Sequence, residues 1–257
     1  MITCDRLINT FCDLARIDSP SGEEAKIALD LKSRLENLGL TVHVDNYGNL
    51  IGTEGKETSL LLSAHMDTVE PGRGINPIVR EDIIETDGTT ILGGDCKAGV
   101  SAIMEAIESI KEDGEDHIPI EVCFTREEEI GLVGARNLDF SKLTARQAIV
   151  FDGEGPPNRI TSTSPTYIGF EFEIKGRAAH AGIEPEKGMS AIKVAAEMIT
   201  RLPQGRIDSE TTFNIGNIEG GSTRNTVPEL ATIRGEFRSQ NIETLDHIRQ
   251  DIDGLIT

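Results

Sequence analysis

Apolar residues recur along this chain with two periods, and the alternation between them sketches the fold. Leu7, Ile8, Phe11, Leu14 and Ala15 share one helical face, which predicts a first helix from about Cys4 to Ile17. Ile27, Ala28, Leu31, Leu35 and Leu38 mark a second helix that Gly39 ends. Ahead of it, Ser21-Gly22-Glu23-Glu24 reads as a capping box, with Ser21 closing the turn and Glu24 reaching back. Thr41 to Val44 alternates as a strand, and Leu50-Ile51-Gly52 pairs back across the turn between them. Leu60-Leu61-Leu62 is a short apolar run of the kind a buried central strand shows. A hairpin follows around Ile78 to Thr86, with a turn at Asp87-Gly88. From Lys97 a helix turns Val100, Ile103, Ala106, Ile107 and Ile110 inward, and Ile120–Phe124 and Gln147–Phe151 are further apolar strands. Alternating strands and helices predict an α/β domain, a largely parallel sheet wrapped by helices.

The pattern changes near Thr161. Tyr167 to Ile174 alternates with one face exposed, Ala191 to Leu202 is a helix, and Thr212–Ile218 and Thr226–Phe237 are strands. A last helix runs from Ile242 to Ile256. Strand–helix–strand–strand–helix is an α+β layer that lacks its final strand. The expected division is a catalytic domain over 1–162 and a second domain over 163–257.

Composition narrows the partners. At 257 residues the chain has room for an ample core. Its net charge of −19, from 44 acidic and 25 basic residues, repels nucleic acid and anionic membranes. There is no tryptophan for a base-stacking surface. No run approaches the ~20 apolar residues of a membrane span, and the first thirty residues carry no apolar signal core. Cys4, Cys12, Cys96 and Cys123 are scattered, which suits a reducing cytoplasm. The expectation is a cytoplasmic protein that meets neither nucleic acid nor membrane.

The candidate chemistry sits where the predicted strands end. Leu60-Leu61-Leu62 delivers His65 to a strand C-terminus, where open α/β sheets place their ligands. Asp67, two residues on, shares its face if the strand continues, and a carboxylate is a common holder of a metal-binding imidazole's second nitrogen. Gly93-Gly94 sets Asp95 at the start of a helix, the Glu127–Glu129 run follows the Ile120 strand, and Asp152 follows the Gln147 strand. Imidazole and carboxylates together suit Zn²⁺, with Mn²⁺ and Co²⁺ as rivals.

These motifs resemble, in order and wording, the dinuclear zinc family of aminopeptidases, carboxypeptidases and deacylases. The likeness is nearest to its tripeptide aminopeptidase (peptidase T) branch. The matching pieces are Ser63-Ala64-His65-Met66-Asp67-Thr68-Val69, Thr86-Asp87-Gly88-Thr89-Thr90 with Gly93-Gly94-Asp95-Cys96-Lys97-Ala98-Gly99, and Glu128-Glu129-Ile130-Gly131 with Gly134-Ala135. Ala179-His180-Ala181-Gly182, and Gly220-Gly221 with Asn225, complete the set. The resemblance implies a zinc-exopeptidase-like mixed sheet flanked by helices, followed by a ferredoxin-like lid and dimerisation domain. Two zinc ions per complete subunit would be bridged by Asp95, with His65 and Asp152 on one and Glu129 on the other. Glu128 would be the general base towards a water bridging the two ions, and Asp67 would hold His65. His180 would help hold the oxyanion, often across a homodimer formed through the lid. Asn225 and Arg238 are candidate binders of substrate carbonyl or carboxylate, while Cys96 is given no metal. Glu127, His43, His117 and His247 receive no role.

The implied activity is hydrolysis of short peptides, with aspartate rather than glutamate at Asp152 favouring an aminopeptidase-like substrate. Two alternatives stay open: an amidohydrolase of N-acyl amino acids, and an inactive fragment or binding protein that retains the fold. The family's last ligand to the second metal is a histidine near the end of a longer chain, and no remaining histidine here has that context. The expectation is therefore an N-terminal portion, with the catalytic domain's returning segment and the lid's last strand lying beyond Thr257.

Overall fold

The computed structural model describes residues 1–257 apart from 56–59, 115, 154 and 256–257. The chain divides into two compact units, Met1–Pro157 and Asn158–Thr257.

In the first unit, α1 (Cys4–Ala15) and α2 (Ala25–Asn37) precede the β1 (Thr41–Val44) and β2 (Leu50–Thr53) hairpin and the strand β3 (Leu60–His65). A small hairpin, β4 (Ile78–Arg80) and β5 (Ile83–Glu85), leads to the long helix α3 (Gly94–Asp113). Then come β6 (Ile120–Thr125), the short α4 (Val133–Arg136) and β7 (Ala148–Val150). The sheet order is β1-β2-β6-β3-β7; β3 runs parallel to both β6 and β7, and β2 is antiparallel to β6. This is the mixed sheet flanked by helices that the resemblance implies; the pattern predicts a largely parallel sheet, but β1–β2 and β2–β6 pair antiparallel. Leu62 and Val122 are register partners and face the helices. Around them Leu14, Ile27, Leu31, Leu35, Val100, Ile103 and Phe124 form one core. A side chain of this size contributes about 1.5–3 kcal/mol when fully buried, so this face fixes the strand register.

The opposite face holds a buried acid. Glu121 accepts hydrogen bonds from the Thr144 and Ala145 amides at 3.0 and 2.9 Å, which anchors the connection into β7. The apolar strand β7 lies at the sheet edge, with Ile149 and Val150 49% and 63% exposed. Apolar content alone does not distinguish an edge from a centre.

The capping box is corrected. Helix α2 starts at Ala25 with Glu24 at its N-cap and no side-chain cap. The Ser21 hydroxyl donates instead to Asp67 Oδ2 at 2.7 Å, and Glu24 is fully buried against Arg126. Longer-range partners outcompete the local cap.

The second unit is β8 (Thr166–Lys175), α5 (Ala191–Arg201), β9 (Gly205–Arg206), β10 (Thr211–Gly220), β11 (Leu230–Ser239) and α6 (Ile242–Gly254). Its antiparallel sheet has the order β8-β11-β10-β9, so β11 sits between β8 and β10, as in a ferredoxin-like layer. Phe170, Phe213 and Phe237 cluster in its core with Leu245, Ile248 and Ile252 of α6. Ser190 caps α5 and Asn241 caps α6 through side-chain oxygens. β11 starts at Leu230 rather than Thr226; Pro228 has no N–H for a ladder, and Thr226 bridges to His180 instead. The expected end of the last helix at Ile256 lies outside the described residues. No helix among the described residues is long and apolar enough to cross a membrane.

Candidate metal centre

Because β3, β6 and β7 are parallel, their C-terminal ends share one edge of the sheet. His65 closes β3 opposite Thr125, the last residue of β6, and the Phe151 amide donates to the Ser63 carbonyl at 2.8 Å to extend β7 towards Asp152. Asp95 arrives from the other side. Gly93, at φ +69°, makes the left-handed bend ahead of α3, where a Cβ would meet Ile75 and Thr68 at 3.3 and 3.4 Å. Asp95 and Cys96 depart from helical dihedrals, and their peptide bond is cis. The Cys96 thiol donates to the Phe151 carbonyl at 2.7 Å, and burial pushes its pKa up to about 12. It therefore ties the Asp95 bend to the Asp152 segment, and its sulfur lies within the same group of ligand-capable atoms.

Ligand-capable atoms of His65, Asp95 and Asp152 all lie within 4.8 Å of one another, and those of His65, Glu128 and Glu129 form a second such group. His65 joins both. Its Nε2 is 3.0 Å from Asp95 Oδ1 and 3.9 Å from Glu128 Oε2, while Nδ1 faces Asp67 Oδ1 at 3.3 Å. Asp67 is fully buried and also accepts from the Glu128 amide at 2.9 Å and the Glu129 amide at 3.2 Å. One carboxylate thus lies against the imidazole and fixes the turn that carries both glutamates.

The electrostatics match this crowding. Burial raises the Asp67 pKa, but His65, Ser21 and the two amides outweigh it and bring it to about 2. For His65 burial works downward, and Asp67 and Asp95 overcome it, lifting the value to about 9. Glu128, Glu129 and Asp152 are all raised, first by burial and then by neighbouring acids, Asp95 and Asp67 among them in each case; His65 is the neighbour that opposes this. Carboxylates packed this closely around one imidazole are the donor set a divalent cation relieves. The residues present fit such an ion.

The remaining candidates lie in the second unit. His180 bridges to Thr226, and the Ala181 amide donates to the Asn225 carbonyl at 2.9 Å, so His180 and Asn225 share one loop cluster. Arg238 does not join them. It lies on β11 eight residues beyond Leu230, about 27 Å of strand. Its guanidinium is held by Glu236 at 3.0 and 3.1 Å and lies over the Tyr167 ring. His43 and His247 are exposed, and His117 pairs with Glu54 at 2.9 Å. Glu154, within the motif that follows β7, lies outside the described residues. Sequence reasoning missed Ser21 as a holder of Asp67 and gave Arg126 no part; an arginine between a strand end and three acids was the available signal.

Gly99 reports on the alignment of the two acid-bearing segments. A Cβ there would come 2.2 Å from the Phe151 carbonyl and 2.8 Å from its Cβ. Gly99→Ala should therefore destabilise the first unit by about 1–3 kcal/mol and weaken metal uptake, because the segment before Asp152 must move. Thermal unfolding with and without added metal checks this, and an unchanged Tm would show that Phe151 yields freely.

A family model described as a peptidase dimerisation domain matches residues 162–257, and one described as peptidase family M28 matches residues 47–182. The chain is 40% identical to the aminopeptidase PepT from Bacillus cereus, covering 99% of this chain and 71% of that one, with a TM-score of 0.94. A tripeptidase from Staphylococcus aureus gives 37% identity, the same coverage and the same TM-score. The Bacillus subtilis protein YqjE is 43% identical over 93% of this chain and 67% of its own. The chain spans about 60–67% of the first curated relatives' lengths. A mixed α/β sheet with an acid-rich edge, followed by an antiparallel α+β layer, defines the two-domain peptidase class. Within it the chain belongs to the M20 peptidase family, in its peptidase T-like branch.

Proposed function

We propose that this chain carries the catalytic residues of a metal-dependent aminopeptidase acting on tripeptides and similar short peptides, with two divalent cations, zinc foremost. The observation that carries the reading is the convergence of His65, Asp95 and Asp152, and of His65, Glu128 and Glu129, within 4.8 Å. His65, Asp95 and Asp152 would hold one ion, and Glu129 with a shared Asp95 would supply ligands to the other. When bound, such a pair lowers the pKa of an active-site water and polarises the scissile carbonyl.

The protein's own groups do the rest. Asp67 fixes His65 with Nε2 turned to the ions, and its hold on two amides keeps Glu128 and Glu129 in place. Glu128 takes the proton of the attacking water and passes it to the leaving amine, a task for which its carboxylate lies at the group, 3.9 Å from His65 Nε2. At His180 the Gly182 amide donates to Nδ1 at 3.2 Å, which leaves Nε2–H to donate to a developing oxyanion. Asn225 would bind a substrate carbonyl, and the second unit would pair two subunits as a homodimer.

The test uses the whole protein and a tripeptide assay. Hydrolysis should stop on chelation, return with Zn²⁺, and exceed the rate on N-acyl amino acids; turnover that survives chelation, or a preference for acyl substrates, would remove the reading. A second readout is thermal. Metal at 100 times its Kd should add about 2.7 kcal/mol, roughly 5–10 °C at about 2–4 °C per kcal/mol. The sign of its pH dependence follows from His65. Its folded value lies above the ordinary 6.5, so its proton stabilises the metal-free protein below pH 6.5, and that contribution is lost as pH rises through about 9. A metal must displace that proton. The metal-induced rise in Tm should therefore widen from pH 6.5 towards 9.

A further inference from the structure

Three consecutive glutamates follow β6, and only two of them join the acid group. The third is held elsewhere. Arg126 donates from Nε to Glu24 Oε2 at 2.8 Å, from Nη1 to the Tyr47 carbonyl at 3.0 Å and from Nη2 to the Gly22 carbonyl at 3.2 Å. Glu24, with no exposed side-chain surface, uses Oε1 to accept the Gly22 amide at 2.9 Å and the Glu127 amide at 3.0 Å. The Glu127 carboxylate accepts from the Tyr47 hydroxyl and lies 3.4 Å from Arg126 Nη2. Glu127 itself stands at φ +51°, a conformation that a non-glycine residue keeps only where its surroundings hold it. Two carboxylates from distant parts of the chain thus take three successive amides: Glu24 that of Glu127, and Asp67 those of Glu128 and Glu129.

We propose that Glu24, Arg126 and Tyr47 form a clamp that decides which of the three glutamates face the metal group. It holds Glu127 back and so positions Glu128 and Glu129; Glu24 is a positioning residue that touches neither metal nor substrate. The inference rests on the reading of Glu128 as base and Glu129 as ligand. It also gives Arg126 a function beyond an exposed ion pair, since its partner Glu24 is wholly buried.

The test is Glu24→Gln in the whole protein, titrated with Co²⁺ and assayed on a tripeptide. Glutamine keeps an oxygen for the two amides but turns an NH₂ towards Arg126. One Co²⁺ per subunit should bind with unchanged affinity, because His65, Asp95 and Asp152 lie outside the clamp. The second should weaken about 10–100-fold, and kcat should fall by about 10²-fold with KM little changed. Tyr47→Phe removes only the hydroxyl and covers the case in which Glu24→Gln does not fold; it should weaken the second Co²⁺ by about 2–10-fold. Wild-type affinity for both ions and an unchanged kcat in either folded variant would overturn the clamp. Glu128→Gln, run in parallel, separates the two ideas: normal turnover there removes the base assignment, whereas a shifted second Co²⁺ in Glu24→Gln still upholds the clamp.

Discussion

Glu128→Gln should lower kcat by about 10²–10⁴-fold while leaving metal content and KM close to those of the unaltered protein. The substitution is nearly isosteric, and the Glu128 amide is held by Asp67 Oδ1 at 2.9 Å whatever the side chain. The turn therefore stays in place, and Glu129 keeps its own amide bond to Asp67 Oδ2. What disappears is a carboxylate oxygen 3.9 Å from His65 Nε2, at the inner edge of the acid group. In the metal-free protein that carboxylate is raised first by burial and then by Asp152, Asp67 and Asp95, while His65 opposes them. A mutation that removes only transition-state proton transfer reduces kcat and kcat/KM together. Metal analysis beside steady-state kinetics is the check. Near-normal turnover with full metal would move the base to another group, and loss of metal would make Glu128 a ligand.

Much of this site is legible in the sequence because each of its carriers is a local device. The Leu60–Leu62 run fixes the strand that ends at His65, and Gly93-Gly94 marks the bend that brings Asp95 in, whereas Asp67 lies past the strand's end, where period two no longer applies. The strand–helix alternation gives the sheet, and the split of β8 and β10 around β11 follows from the strand–helix–strand–strand order. The roles of base, bridging acid and oxyanion holder came from the resemblance, since spacing alone assigns none of them. What the sequence hides is the partner of a long polar side chain. Ser21 has the composition of a helix cap, but Asp67, 46 residues away, takes its hydroxyl. Glu24 has the spacing of a capping-box acid, but Arg126, 102 residues away, takes its carboxylate. In both cases a tertiary contact outcompetes the role that local grammar suggests.

Asp95→Ala should abolish both metal sites and depress turnover by at least about 10⁴-fold, the scale of losing several kcal/mol of electrostatic stabilisation. Asp95 Oδ1 lies 3.0 Å from His65 Nε2 and within the His65–Asp152 group, and after burial it is the largest charge acting on Glu129. It thus belongs to one ligand group and acts by charge on Glu129 of the other. Its side chain is 71% exposed, so truncation leaves no core cavity. Removing it also relieves like-charge crowding on Glu129 and Asp152, whose elevated values it helps to set. The metal-free variant should therefore melt at the same temperature as the metal-free parent, or slightly above it, while the metal-induced rise in Tm disappears. That combination separates a lost ligand from a damaged fold, since a folding defect would lower both melting temperatures. Calorimetric metal titration with paired thermal melts reads it out. A variant that still takes up two ions per subunit would show that Asp95 bridges nothing, and the two-ion reading of this centre would go with it.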